Sequence, residues 1–219
     1  MISAIILAAG KSARMGQNKL LMKWGNVTVL EKVIQTIQSA GIEDIVLVTT
    51  PGIANQFTSF DLRLTINETN SEMLTSIQVG LQVLAPSAFG TSPKSATETL
   101  EDSENHINGF GGGSDEVEAT LITLGDQPQI EERSVRSVCE AYQKSKSNLV
   151  VPSYQMRRGH PWLAARPLWN ELLSMKAHQS PRDFLNAHAD EIEYVNLDTP
   201  TILQDLDTPE DYLKYKPNV

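Results

Sequence analysis

The sequence predicts an α/β fold: a single Rossmann-like domain with a mostly parallel, twisted sheet, helices on both faces, and a long acidic surface insertion. Three observations predict it. Short apolar, β-branched runs alternate with stretches of helical period, the pattern of strands joined by crossover helices. The runs are continuous rather than alternating, so both faces of the sheet are expected to be covered. One stretch, 86–116, is rich in Ser, Thr, Gly and acids and cannot build a core, which makes it an insertion rather than a layer.

The first run, residues 3–8, lies within an apolar opening that lacks a basic start. It meets Gly10 and Lys11 too soon for a signal peptide or a membrane span, so it reads as a buried strand. A helix follows, because Val29, Leu30, Val33, Ile34 and Ile37 form one apolar stripe. Thr28 and Glu31 have the spacing of a capping box at its start, and Gly41 closes it. Strands are expected at 45–49 and 62–66, then a helix carrying Leu74, Ile77, Leu81 and Leu84. The insertion comes next, with Glu98, Glu101, Asp102 and Glu104 clustered and three glycines at 111–113. After it come a strand at 120–124, a helix carrying Val135, Val138, Cys139 and Tyr142, and a strand at 149–152. Near the end, Asp205, Asp207 and Asp211 crowd a helix start in which Thr208 precedes Pro209; Asp207 and Asp211 read as structural there. The similar tetrapeptides at 197–200 and 206–209 define no repeat architecture.

At 219 residues the chain fits one domain spanning 1–219. With 40% hydrophobic and 21% charged residues it has material for a core and the composition of a globular protein. Eighteen basic against twenty-seven acidic residues leave a net charge of −9, which disfavours binding to a phosphate backbone; no nucleic acid and no membrane is expected as a partner. The lone Cys139 builds neither an internal disulfide nor a Cys-rich metal site, and suits the cytoplasm.

The chemistry concentrates in the loop after the first strand. Residues 7–19 read Leu-Ala-Ala-Gly-Lys-Ser-Ala-Arg-Met-Gly-Gln-Asn-Lys, placing glycines and cations at the carboxyl end of a strand, where open α/β sheets gather ligands. Gly10 and Gly16 let backbone approach a phosphate, while Arg14 and Lys19 can neutralise its oxygens. A Walker loop would need Gly where Ile5 stands, and the dinucleotide fingerprint would need Gly where Ser12 stands, so neither applies. Asp126, just past a strand end, suits a divalent metal; its alternative is a cap for the helix after Pro128. Arg157, Arg158 and His160 place cations in an otherwise acidic chain, either in a pocket for an anion or in a solvated turn.

In these residues the chain resembles the molybdenum cofactor cytidylyltransferases, within the wider MobA-like nucleotidyltransferase superfamily. Segment 7–19 carries the signature, followed in order by Leu-Gly-Asp-Gln-Pro at 124–128, Gly-His-Pro at 159–161 and Asp-Leu-Asp-Thr-Pro-Glu-Asp at 205–211. The resemblance implies Mg²⁺-dependent transfer of CMP from CTP to the phosphate of molybdopterin, releasing pyrophosphate. Alignment and charge neutralisation do the work, without a side-chain nucleophile. It assigns Arg14, Lys19 and Asp126 to catalysis, and Leu7, Ala8, Ala9, Gly10, Asn67 and Ser76 with them to the nucleotide. Gly159 and His160 fall to the pterin, and Asp126 and Asp205 to the metal. Ala8, Ala9 and Gly10 point to the cytidine branch rather than the guanosine one. Glu72 and the pair Lys23, Trp24 depart from the family pattern, and His106, His178 and His188 match none of it, reading as surface or helix residues. A molybdenum hydroxylase is the implied recipient of the product. The competing expectations are a nucleotidyltransferase acting on a sugar or alditol phosphate, and a non-catalytic cofactor maturation factor.

Overall fold

The apolar runs become the strands of one central sheet, buried on both sides except at the half-buried edge strand 63–66. The computed structural model describes residues 1–10, 15–67, 72–85 and 117–217; Arg14 and the 86–116 insertion lie outside the described residues. In chain order the elements are β1 (Ile2–Ala8), the short hairpin β2 (Lys23–Trp24) and β3 (Val27–Thr28), α1 (Val29–Ser39), β4 (Ile45–Thr49), α2 (Pro51–Ala54), β5 (Arg63–Ile66), α3 (Met73–Leu84), β6 (Ala119–Leu124), α4 (Glu132–Ser145), β7 (Leu149–Tyr154), β8 (Arg157–Arg158), β9 (Trp162–Ala165), α5 (Trp169–Ser174), α6 (Pro181–Ala187), β10 (Ile192–Asn196) and α7 (Pro209–Tyr215).

The main sheet runs in the order β10-β7-β9-β6-β1-β4-β5, with β8 paired to β7. Strands β1, β4, β5 and β6 are parallel. Strand β9 is antiparallel to both β6 and β7, so β7 and its parallel partner β10 point the same way as β6. Helices cover both faces, as expected. Ala4, Ile6 and Ala8 of β1 pack with Val33, Ile37, Val135 and Val138 of α1 and α4. On the other face Ile5, Val46 and Val48 pack with Ile77 and Leu81 of α3 and with apolar residues of α5 and α6. The side-chain period of two thus divides a single strand between two cores.

Helix α1 begins as its sequence dictates. The Thr28 hydroxyl accepts from the Glu31 amide while the Glu31 carboxylate accepts from the Thr28 amide, closing the capping box. All five expected strands are present. Strands β9 and β10 and helices α5 and α6 have no counterpart in the sequence reading. β9 is a buried apolar run of only four residues, two of them alanines, which are poor strand formers, and β10 is a half-exposed edge with mixed polarity, so neither gives a clear strand signal. No described helix is long and apolar enough to cross a membrane.

Candidate active site

From β1 the chain crosses to β4 and β5 on one side, whereas β6 lies on the other. The crevice at the carboxyl ends of β1 and β6 is therefore the point where the winding reverses, the place an open parallel sheet offers to a ligand. The two strand ends touch there. The Gly125 amide donates to the Leu7 carbonyl at 2.9 Å, and a Cβ on Gly125 would lie 3.1 Å from that oxygen, so glycine lets the Asp126 turn lie against the Ala8, Ala9 and Gly10 loop. Lys19 opens a 3-10 helix, Lys19–Leu21, capped by the Asn18 side chain on the Leu20 amide and anchored by buried Leu20.

These elements bring Lys19 to Asp126. The Lys19 Nζ lies 2.5 Å from Asp126 Oδ2 and 3.1 Å from Asp207 Oδ1, with the Lys19 and Asp126 side chains only 12% and 18% exposed. Asp207 arrives because the Leu206 amide donates to the Asp126 carbonyl at 3.1 Å, pinning the segment before α7 across the crevice. Asp126 does not cap α4, which starts at Glu132 with Glu131 at its N-cap. Asp211 is the partner of Thr208 in the capping box of α7, the structural role expected of it, whereas Asp207 stands outside the helix and faces Lys19. Asp205, beside it, accepts a hydrogen bond from the Gln127 amide nitrogen.

Burial alone would pull the Lys19 ammonium pKa down, but Asp126 and Asp207 outweigh it and the net shift is upward, so Lys19 is a firm cation. Burial pushes the Asp205 carboxyl up to about 6; the Gln127 hydrogen bond and Lys19 oppose this, while Asp126 and Asp207 add to it. An ammonium sitting among carboxylate oxygens marks the crevice as a place for a cation. Hard oxygen donors of this kind suit Mg²⁺ or Mn²⁺, which take one or two carboxylates and fill the rest of their shell with phosphate oxygens and water. Among the described residues no group of three or more His, Cys, Asp or Glu side chains is placed to hold a metal ion.

Beside this crevice opens a cleft of about 1380 Å³, lined by the β7–β8 hairpin, the start of α3, α6 and β10. Its basic wall holds Arg157, Arg158 and Arg182, with the uncharged His160 beside them and one acid, Glu72, on the same lining. Arg158 is fixed by Tyr194 Oη at 2.9 Å and Asn186 Oδ1 at 2.8 Å, so it belongs to a built wall rather than a solvated turn. The His160 ring lies 3.3 Å from the Ile122 carbonyl; burial lowers its pKa against the opposing pull of that carbonyl and of Asp126, leaving a neutral imidazole between cleft and crevice. Gly159 lines the cleft as well, and its backbone packs on Ile202 so tightly that a Cβ would come 2.5 Å from the Ile202 carbonyl oxygen. Asn67 and Ser76 are buried and joined, the amide donating to Ser76 Oγ at 2.9 Å, at the carboxyl end of β5 and the start of α3.

Lys19, Asp126 and Asp205 therefore meet at one crevice, and His160 borders it, while the position of Arg14 lies outside the described residues. Gln127, Arg182, Tyr194 and Asn186 carry no signal of a site role in the sequence, and Asp207, which reads there as structural, instead faces Lys19. Gln127 and Asp207 sit inside the motifs, one residue after Asp126 and two after Asp205. The other three lie on elements with no local signature of chemistry.

The family model of the MobA-like NTP transferase domain matches residues 4–192. No curated protein sequence matches the chain. Among solved structures, Rv0371c from Mycobacterium tuberculosis H37Rv superposes with a TM-score of 0.73 at 19% identity, covering 100% of each chain. The same protein has been crystallised with manganese, matching at TM-score 0.67 and 18% identity over 100% of this chain and 99% of that one. A nucleotidyl transferase from Methanothermobacter matches at TM-score 0.72 and 20% identity over 99% and 96% of the two chains. Molybdopterin-guanine dinucleotide biosynthesis protein A from Archaeoglobus fulgidus matches at 0.65 and 12% over 99% and 97%.

Proposed function

From the premise that this chain belongs to the MobA-like NTP transferase family and is a nucleotidyltransferase, we propose that it transfers CMP from CTP to the terminal phosphate of molybdopterin. The observation that carries this reading is the Lys19 ammonium gripped by Asp126 and Asp207 at the β1/β6 crevice, beside a cleft with a basic wall. A firm cation at a strand end is made for a polyanion, and the adjacent cleft for a second, also anionic, substrate.

In this reading the triphosphate lies over the loop formed by Leu7, Ala8, Ala9 and Gly10. Lys19 turns from its carboxylate partners to the α-phosphate and Arg14 takes the leaving pyrophosphate. Asn67 and Ser76 face the base. A divalent cation, Mg²⁺ here, would be held by Asp126 and Asp205 and would supply further neutralisation of charge on the transferred group. The acceptor phosphate, drawn by Arg157, Arg158 and Arg182, approaches in line with the α-phosphorus. His160 and Gly159 border the pterin, and the neutral imidazole orients rather than carries a proton. One P–O bond forms to the acceptor phosphate, one breaks to pyrophosphate, and the protein supplies position and charge. The manganese complex of the mycobacterial protein supports a divalent metal in this fold. We place the enzyme in the cytoplasm, with its dinucleotide product in the form that a molybdenum hydroxylase takes up.

The test is pyrophosphate release by the purified protein with Mg²⁺ and CTP or GTP, with and without molybdopterin, against glucose 1-phosphate as a competing acceptor. Release that needs both CTP and molybdopterin is the expected result. Preference for GTP removes the base assignment, preference for glucose 1-phosphate removes the acceptor, and binding without turnover leaves a maturation factor.

A further inference from the structure

We propose that the tip of the β7–β8 hairpin is an acceptor-specificity element, in which Met156 closes over the flat ring system of a phosphorylated acceptor. It rests on the transfer reading above and adds a residue that neither the family motifs nor the triphosphate crevice contains.

Three observations converge on it. The first is backbone strain. Tyr154 pairs with Arg157 across a two-residue turn, and both central residues are left-handed, Gln155 at φ 48° and Met156 at φ 63°. Tight hairpins favour this geometry because its twist matches the strands, but they meet it with Asn and Gly, which tolerate positive φ; long side chains crowd the backbone there. A turn kept for stability alone would not carry Gln and Met. Strain of this kind is retained where the side chain has a task.

The second is exposure. Met156 is 95% exposed, an apolar side chain held out from the body of the protein. It is not scattered at random: of the five exposed large apolar residues among those described, Met73, Met156 and Tyr194 all line the one cleft, Met73 and Tyr194 each at 39% exposure. Apolar surface gathered at the mouth of a cleft is what an apolar part of a ligand covers.

The third is the company it keeps. Arg157 follows Met156 directly, and Arg158 stands over the Tyr194 ring at 5.7 Å from its centroid while bonded to Tyr194 and Asn186. A ring with a phosphate at one end matches a surface of thioether and phenol beside guanidinium groups. A small polyol phosphate would satisfy the cations and leave the apolar rim wet. Methionine suits the task, being unbranched and polarisable enough to settle on an aromatic face.

The experiment uses the full-length protein with CTP, Mg²⁺ and molybdopterin. Variants are Met156→Ala, Met156→Leu and the double change Gln155→Asn with Met156→Gly. The expected result is an acceptor KM about ten-fold higher for Met156→Ala and for the double variant, the scale of losing one buried apolar side chain, with kcat and the KM for CTP held. Met156→Leu restores the acceptor KM. The double variant should also melt at a higher temperature than wild type, because Asn and Gly relieve the turn. A stabilised protein that binds its acceptor less well separates a functional tip from a merely structural one. If wild type turns over molybdopterin and Met156→Ala leaves the acceptor KM unchanged, the inference is overturned while the proposed reaction stands. If wild type does not turn over molybdopterin, the proposed reaction falls and this inference with it.

Discussion

Removing the Lys19 ammonium leaves Asp126 and Asp207 facing a crevice with one cation fewer for the triphosphate. Lys19→Ala should lower kcat by roughly 10²- to 10³-fold at saturating CTP, the scale of one preorganised electrostatic contact; wild-type pyrophosphate release would reject the assignment. Gly159 makes a different kind of demand. The resemblance assigns it to the pterin, and its position shows a packing role too, since a Cβ there would meet the Ile202 carbonyl at 2.5 Å and the Ile202 Cβ at 2.9 Å. Backbone cannot step aside as a flexible side chain can, so Gly159→Ala should cost about 1–3 kcal/mol of stability, measured by urea unfolding. An unchanged midpoint would mean that the Ile202 segment yields freely.

Between elements, His188 ties the end of α6 to its surroundings. Its Nε2 lies 3.0 Å from both carboxylate oxygens of Glu171 in α5, and its Nδ1 lies 3.4 Å from Glu191, an ion pair rather than a hydrogen bond. The ring also lies against Phe184, tilted by 51° with centroids 4.8 Å apart. Burial works against the imidazolium, but Glu171 and Glu191 outweigh it and raise the pKa above its ordinary 6.5. A cation favoured by folding stabilises most below the unfolded pKa, and that contribution is lost as pH rises through the higher folded value. Thermal melts of wild type and His188→Gln should therefore differ at pH 6 and converge by pH 9; a gap that ignores pH would exclude the ion pair as its cause. From the sequence His188 matched nothing, because its partners lie 17 and 3 residues away on two different elements. Helix α1 is the opposite case. Its stripe and its capping box are both local, so both are legible before folding. Helix α6 also carries a capping box, Ser180 with Asp183, yet with Phe184 and Leu185 as its only buried residues it offers no stripe long enough to read.

Over the whole molecule, ligand binding is a stability term. A ligand that binds only the folded chain stabilises it by roughly 2.7 kcal/mol at a hundred times its Kd, so CTP with Mg²⁺ should raise Tm by several degrees, and CTP without a divalent cation by much less. Differential scanning fluorimetry with CTP, GTP and EDTA checks this, and equal shifts with and without metal would argue that the carboxylates bind no cation. The net charge of −9 sets the context. In an acidic molecule, Arg157, Arg158 and Arg182 around one cleft form a local positive field, which in the proposed reaction an anionic acceptor would meet on approach.

What the amino-acid sequence determines by itself is whatever rests on neighbours along the chain. That includes the five expected strands, the capped helix α1, the glycine-and-cation loop after β1, and the order of the motifs. Each depends on periodicity or spacing within a few residues, where local sterics and hydrogen bonding decide the outcome. Only the tertiary structure decided that Asp207, 188 residues from Lys19, reaches its ammonium. The same holds for Gln127 holding Asp205, and for a strained hairpin, a short helix and an edge strand enclosing one cleft. Those pairings come from packing a twisted sheet between two layers of helices, which brings distant segments together by burying apolar surface, and burial carries no record of sequence separation.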